Sequence, residues 1–81
     1  MKHAFSHKFI RQYQELSPGL KAKVDKQIAF LVQNLQHPSL HAKKYDQALD
    51  IWQARVDERY RFYFRMEGDT YRILSVTPHP K

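Results

Sequence analysis

The sequence predicts an α+β fold: a short N-terminal strand and a helical hairpin packed on a small antiparallel β-sheet. Two patterns carry that prediction. Apolar residues recur at helical spacing between positions 20 and 35, and β-branched and aromatic residues alternate with a period of two between positions 49 and 76. Length bounds it: 81 residues make one small domain, 1–81, that buries roughly 60–70% of its unfolded surface.

Residues 2–5 suit a first strand added to the sheet edge. Ser6 is the expected N-cap of a helix in which Phe9, Ile10, Tyr13 and Leu16 recur over about two and a half turns. Ser17-Pro18-Gly19 ends it and starts the next, with Ser17 as N-cap and Pro18 in the first helical position. Leu20, Val24, Ile28, Leu31 and Leu35 then form one apolar stripe, with Lys21, Lys23, Asp25, Lys26 and Gln33 largely outside it. Pro38 is expected to close this helix, because proline disfavours α conformation in the residue before it. Two helices joined by so tight a turn form an antiparallel hairpin, its stripe against the sheet. Residues 37–48 read as a long irregular connection, anchored by Leu40 and projecting Lys43 and Lys44. A loop of that length in so small a domain is a candidate for function.

The remaining sequence forms a meander with turns at residues 57–59 and at Glu67-Gly68-Asp69, where Gly68 tolerates a positive φ. Even positions place Trp52, Ala54, Val56, Tyr60, Phe62, Phe64, Leu74 and Val76 on a core face. Odd positions place Gln53, Arg55, Arg61, Tyr63, Arg65 and Tyr71 on the other, together with Ile51 and Ile73. That second face is cationic and hydrogen-bonding, and is where function is expected.

Composition narrows the classes. A 42% hydrophobic and 14% aromatic content supplies a core and argues against disorder. No cysteine is present, which removes disulfides and thiolate zinc sites and fits a reducing cytoplasm. The start, MKHAFSHKF, lacks the apolar run of a signal peptide, and no segment has transmembrane length. Fourteen Lys and Arg against eight Asp and Glu give +6, which favours an anionic partner: nucleic acid, an acidic protein, or both. A lipid surface is disfavoured, because no segment joins basic residues to a clean exposed apolar face.

Arg55, Arg61 and Arg65, with Tyr63, Tyr71 and Gln53, form the strongest constellation. Guanidinium forks match phosphate oxygens, and aromatic rings stack bases. The same residues also fit a solvated sheet face whose arginines pair with Glu58, Glu67 or Asp69. His37 and His41 have helical metal spacing, but Pro38 lies between them and no acidic or thiol partner is near. His79 follows the last strand, placed either to swing over the cationic face and move a proton or to belong to a passive tail. Gly19 and Gly68 are the only glycines, which excludes a phosphate-cradling loop. No serine has a nucleophile context, and the turn carboxylates do not form a glycosidase pair.

The run HPSLHAKKYDQALDIWQARVDERYRFYFRMEGDTYRILSVTPH, above all Pro38-Ser39-Leu40 and residues 52–63, resembles the RelE/ParE superfamily of type II toxin–antitoxin toxins. The order strand, helix, helix, three strands is similar to that family's core over essentially the whole chain. The resemblance implies a toxin that acts without metal or cofactor, with a cognate acidic antitoxin as partner. In the nuclease branch it implies cleavage of mRNA on the translating ribosome. Arg55 matches a cationic central-strand position, and Gln53 another that is often lysine. Arg61, after Tyr60, matches the family's Tyr-Arg pair, and His79 the basic or histidine position after the last strand. The roles implied are Arg61 and Arg55 as phosphate clamps and His79 as acid or base. Gln53, Arg65, Tyr63, Lys43 and Lys44 then bind RNA. Many relatives follow the histidine with aspartate and continue to a tyrosine or a helix, whereas Pro80 and Lys81 follow here. Two alternatives remain: a poison of DNA gyrase, the superfamily's other branch, and a catalytically inactive binding relative.

Overall fold

A computed structural model of the chain describes residues 2–79; Pro80 and Lys81, which follow His79 in the sequence, lie outside the described residues. The elements run β1 (Lys2–Phe5), α1 (His7–Gln14), α2 (Pro18–Gln33), a 3₁₀ turn (Pro38–Leu40), β2 (Lys43–Asp46), β3 (Ile51–Arg55), β4 (Tyr60–Glu67) and β5 (Thr70–Pro78). The five strands form one sheet in the order β1-β5-β4-β3-β2. The meander is antiparallel, but β1 joins β5 in parallel, so the whole sheet is mixed.

The helices start where their caps dictate. Ser6 accepts from the Phe9 amide and Ser17 from the Leu20 amide, with Pro18 just inside α2. Val24, Ile28 and Leu31 of α2 are buried against Phe62, Phe64 and Ile73 in one core. Leu31 is fully buried, which contributes about 1.5–3 kcal/mol. In α1 only Phe9 is buried and Ile10 is exposed. The second helix stops at Gln33, earlier than Pro38 requires: Asn34 takes an extended conformation, and its side chain accepts from the Gln36 amide.

Two features of the sheet differ from the sequence expectation. Residues 43–46, expected in an irregular loop, form edge strand β2, pairing Lys43 with Gln53 and Lys44 with Trp52. Four residues, three of them charged, give no alternating pattern to read, and lysines are typical guards of an edge.

Second, the β4–β5 register shifts between Tyr63 and Phe64: Tyr63 pairs with Ser75, but Phe64 pairs with Ile73. Leu74 is the inserted residue, and such a bulge reverses face parity for the rest of the strand. Tyr71 and Ile73 therefore lie in the core, at 4% and 0% exposure, and not on the cationic face. Tyr71 meets Phe64 edge-on, and burial raises its phenol pKa above the usual value. Arg72 takes Tyr71's place on the outer face, opposite Arg65.

At the other edge, β1 ends before β5 does, so side chains complete the pairing. The Ser6 hydroxyl donates to the Leu74 carbonyl, and the Gln12 side chain accepts from the Val76 amide.

Candidate functional site

Antiparallel pairing sets Arg55 directly opposite Arg61. Two like charges in that relation repel, by about 0.2–1 kcal/mol relative to a neutral pair. Arg61 is held by donating Nη1 to the carbonyls of Asp57, in the turn between β3 and β4, and of Tyr60, at the start of β4. Arg55 Nε is buried and has no hydrogen-bond partner among the described residues. The Asp57 carboxylate, the nearest in sequence, is turned away. It accepts from the Arg59 and Tyr60 amides and pairs with Lys23 at 3.2 Å. Burial alone would raise its pKa, but those two amides and the Lys23 ammonium outweigh burial and hold the carboxyl below its ordinary value.

The same like-charge relation recurs at Arg65 and Arg72, and there it is compensated. Arg72 Nε donates to Glu67 at 2.8 Å, and Arg65 lies close enough to help lower the Glu67 and Asp50 pKa values after their main partners, Arg72 and Lys44. At Arg55 and Arg61 no carboxylate among the described residues plays that part.

A cavity of about 370 Å³ opens at this uncompensated pair, lined by His41, Ala42, Lys43, Gln53, Arg55, Arg61 and His79. It sits at the lower end of the roughly 300–1,000 Å³ usual for ligand sites. Its walls carry three cations and two imidazoles and, among the described residues, no carboxylate. Lys43 reaches it because β2 pairs Lys43 with Gln53 on this face. His41 reaches it from the loop, with a left-handed backbone at φ 47° and ψ 42° that a non-glycine residue adopts rarely. His79 is positioned by its backbone amide, which donates to the Arg59 carbonyl. The chemistry of this lining suits an oxyanion, whose negative charge would offset the opposed guanidinium charges.

Solved structures with the same architecture include the YoeB/ParE toxin from Agrobacterium tumefaciens, with a TM-score of 0.81, 15% identity, and 99% and 100% of the two chains covered. The YafQ protein of Escherichia coli BL21(DE3) superposes at 0.80 with 12% identity, covering 96% of this chain and 92% of that one. The RelE of the Methanococcus jannaschii RelB–RelE antitoxin–toxin complex gives 0.72 with 18% identity, covering 91% and 87%. The chain has the RelE/ParE toxin fold. No protein-family model matches the sequence, and no curated protein does.

Within this toxin fold the residues expected at the site divide. Arg55, Arg61, His79, Gln53 and Lys43 come together in the one cavity. Tyr63 is beside it on the same face, its hydroxyl accepting from Gln53 Nε2 at 3.1 Å. Arg65 does not join: it is four residues along β4 from Arg61, about 13 Å away. Lys44 is on the opposite face, because it pairs with Trp52; its ammonium binds Asp50 and lies 5.0 Å from the Trp52 ring centre. His41 is the addition that the sequence did not announce, since nothing in it marks a left-handed histidine.

Proposed function

We propose that this protein is a toxin of the RelE kind, a metal-independent, ribosome-dependent endoribonuclease that works in the cytoplasm. The observation that carries the reading is the opposed Arg55–Arg61 pair, lining a cavity that also holds two imidazoles. A phosphodiester completes that arrangement. The RNA 2′-oxygen attacks phosphorus, the P–O5′ bond breaks, and a 2′,3′-cyclic phosphate and a 5′-hydroxyl result. Arg55, Arg61 and Lys43 stabilise the added charge of the crowded phosphate, which counts most in the transition state. His79 and His41 supply the two proton roles: one imidazole takes the 2′ proton, and the other protonates the leaving 5′-oxygen.

The cognate partner in this reading is an acidic antitoxin. It is supported by the net charge of +6 and by neighbours of this fold solved with antitoxins, RelB in Methanococcus jannaschii and YefM in Staphylococcus aureus.

The test adds purified protein to a translation reaction and maps the mRNA. Cuts inside the coding frame with 5′-hydroxyl ends, abolished by a 2′-deoxy substitution at the attacking position, are expected. Intact mRNA together with accumulated gyrase–DNA cleavage complexes would replace this reading with the gyrase one. Tight antitoxin binding with neither activity would make the chain an inactive relative.

A further inference from the structure

Beside the cationic cavity, on the same sheet face, lies a second groove of about 540 Å³ whose walls include Tyr45, Tyr63, Ile51, Leu74, Lys8 and Thr77. Two register breaks build it. The β5 bulge turns Leu74 out of the core and into this groove, and a β2 irregularity between Lys44 and Asp46 frees Tyr45 to meet Tyr63. The two rings pack edge to face, 4.9 Å between centres at 66°. Tyr45 remains 61% exposed although it is a large aromatic on an edge strand. Bulges that re-aim side chains concentrate beside functional sites.

We propose that this groove is a nucleobase subsite, holding the base of a nucleotide next to the phosphate bound by Arg55 and Arg61. The proposal rests on the reading above and adds to it the base that the site grips.

Continuity between the two sites favours this occupant. Tyr63 and Arg61 are two residues apart on β4, about 7 Å along one strand and on one face. Ile51 and Gln53 stand in the same relation on β3. The Gln53–Tyr63 hydrogen bond joins the wall of the cavity to the wall of the groove. The groove offers apolar lining from Ile51 and Leu74, the exposed Tyr45 ring for stacking, and hydroxyl-bearing side chains from Ser75 and Thr77. Lys8 adds a cation to the groove wall, suited to a neighbouring phosphate. Stacking on an aromatic side chain is tolerant of base identity, so the site grips a base without reading a particular one.

The test measures single-turnover cleavage on ribosomes carrying an mRNA with either an intact codon or one abasic ribose beside the scissile phosphate. Tyr45→Ala should slow cleavage of the intact codon by at least about five-fold, the lower end for losing one base–aromatic stack. Tyr45→Phe should restore it, and neither change should matter on the abasic codon, where no base remains to stack. Arg61→Ala should slow both codons alike. If wild type and Tyr45→Ala cut the two codons identically, the base subsite is wrong while the nuclease reading stands. If Tyr45→Ala leaves cleavage untouched but weakens antitoxin binding, the groove takes a peptide side chain and the proposal falls. If wild-type protein leaves mRNA intact, the nuclease reading fails and the subsite fails with it.

Discussion

The side chain of Gln27 donates to the main-chain carbonyl of Arg55 at 2.8 Å, from the middle of the apolar stripe of α2. Its second N–H goes to the Ser39 carbonyl at 3.1 Å, and its oxygen accepts from the Ser39 hydroxyl at 3.3 Å. His37 extends the network through Nδ1, 2.9 Å from that hydroxyl, and stacks on Phe30 at 3.8 Å. One 5%-exposed glutamine thus ties the helix to the loop leading to His41 and to the end of the strand bearing Arg55. A buried amide is tolerated only when satisfied, and here both donors and the acceptor are used. Gln27→Leu should therefore lower stability by about 1–3 kcal/mol for the polar groups stranded, read as a lower urea midpoint with m unchanged. Folded Gln27→Leu protein should also cleave more slowly, because the loop and strand lose their common tether. An unchanged midpoint would mean that water satisfies both carbonyls as well as Gln27 does.

The opposed arginines set stability against activity. Arg55→Gln removes one of two like charges that face each other, so stability should hold or rise by up to about 1 kcal/mol. Cleavage should fall sharply in the same protein, as is common where a strained site serves function. Ribosome co-sedimentation across a salt series gives a second readout, the slope falling by about one for each phosphate that is no longer neutralised. Arg65→Gln, outside the cavity and beside a pair already compensated by Glu67, should change cleavage far less. Equal losses in the two variants would show that the whole cationic face acts diffusely and that the cavity has no special part.

Helix phase is tested by Leu31 and Lys23. Leu31→Ala should cost about 2–5 kcal/mol, since the site is fully buried. Lys23 is half-exposed but pairs with Asp57 at 3.2 Å, so Lys23→Ala should cost about 0.2–1 kcal/mol, as exposed ion pairs do. Thermal melts of the two variants check the contrast.

Features set by near neighbours were legible in the sequence. Helical spacing found the α2 stripe, and capping chemistry found Ser6, Ser17 and Pro18, because each rule acts within a few residues. Period-two parity sorted β3 and β4 correctly, including Gln53, Arg55, Arg61 and Tyr63. It failed in β5 at Leu74, because a bulge is set by pairing with another strand, and one inserted residue exchanged Tyr71 for Arg72. Lys43 and Lys44 looked equivalent as loop residues, and only pairing with Gln53 and Trp52 sends them to opposite faces. Gln27 was hidden for the opposite reason: local pattern treats a glutamine within a stripe as noise, and its value lies in hydrogen bonds to residues 12 and 28 positions away.

Acid should act on stability through Asp57. Its carboxyl is held below the ordinary aspartate range in the folded protein, so the unfolded chain binds a proton at higher pH than the folded one does. Its contribution is then complete above the unfolded value, near 3.8, and is lost as pH falls through the lower folded value. Asp57→Asn should flatten this part of the acid limb, measured as the urea midpoint between pH 5 and about 2, while lowering stability near neutrality. An acid limb of unchanged shape would assign it to other carboxylates.

The two imidazoles make the last prediction. Cleavage by a 2′-oxygen needs a base at one oxygen and an acid at the other, and the cavity holds His41 and His79 beside the guanidinium pair. Removing either should cost about 100-fold or more in the single-turnover rate, the usual scale for a positioned proton donor or acceptor. His79 is exposed and adopts no special backbone, so His79→Ala is a clean deletion. His41 needs more care, since its backbone is left-handed and alanine would be strained there. Asparagine tolerates that conformation, so His41→Asn removes the imidazole and keeps the turn. Replacing the leaving 5′-oxygen by sulfur then separates the roles, because a thiolate leaves without being protonated. The variant lacking the acid should recover its rate on that substrate, and the variant lacking the base should not. If His41→Asn cleaves at the wild-type rate on both substrates, His41 takes no part in proton transfer, and the second proton role falls to another group.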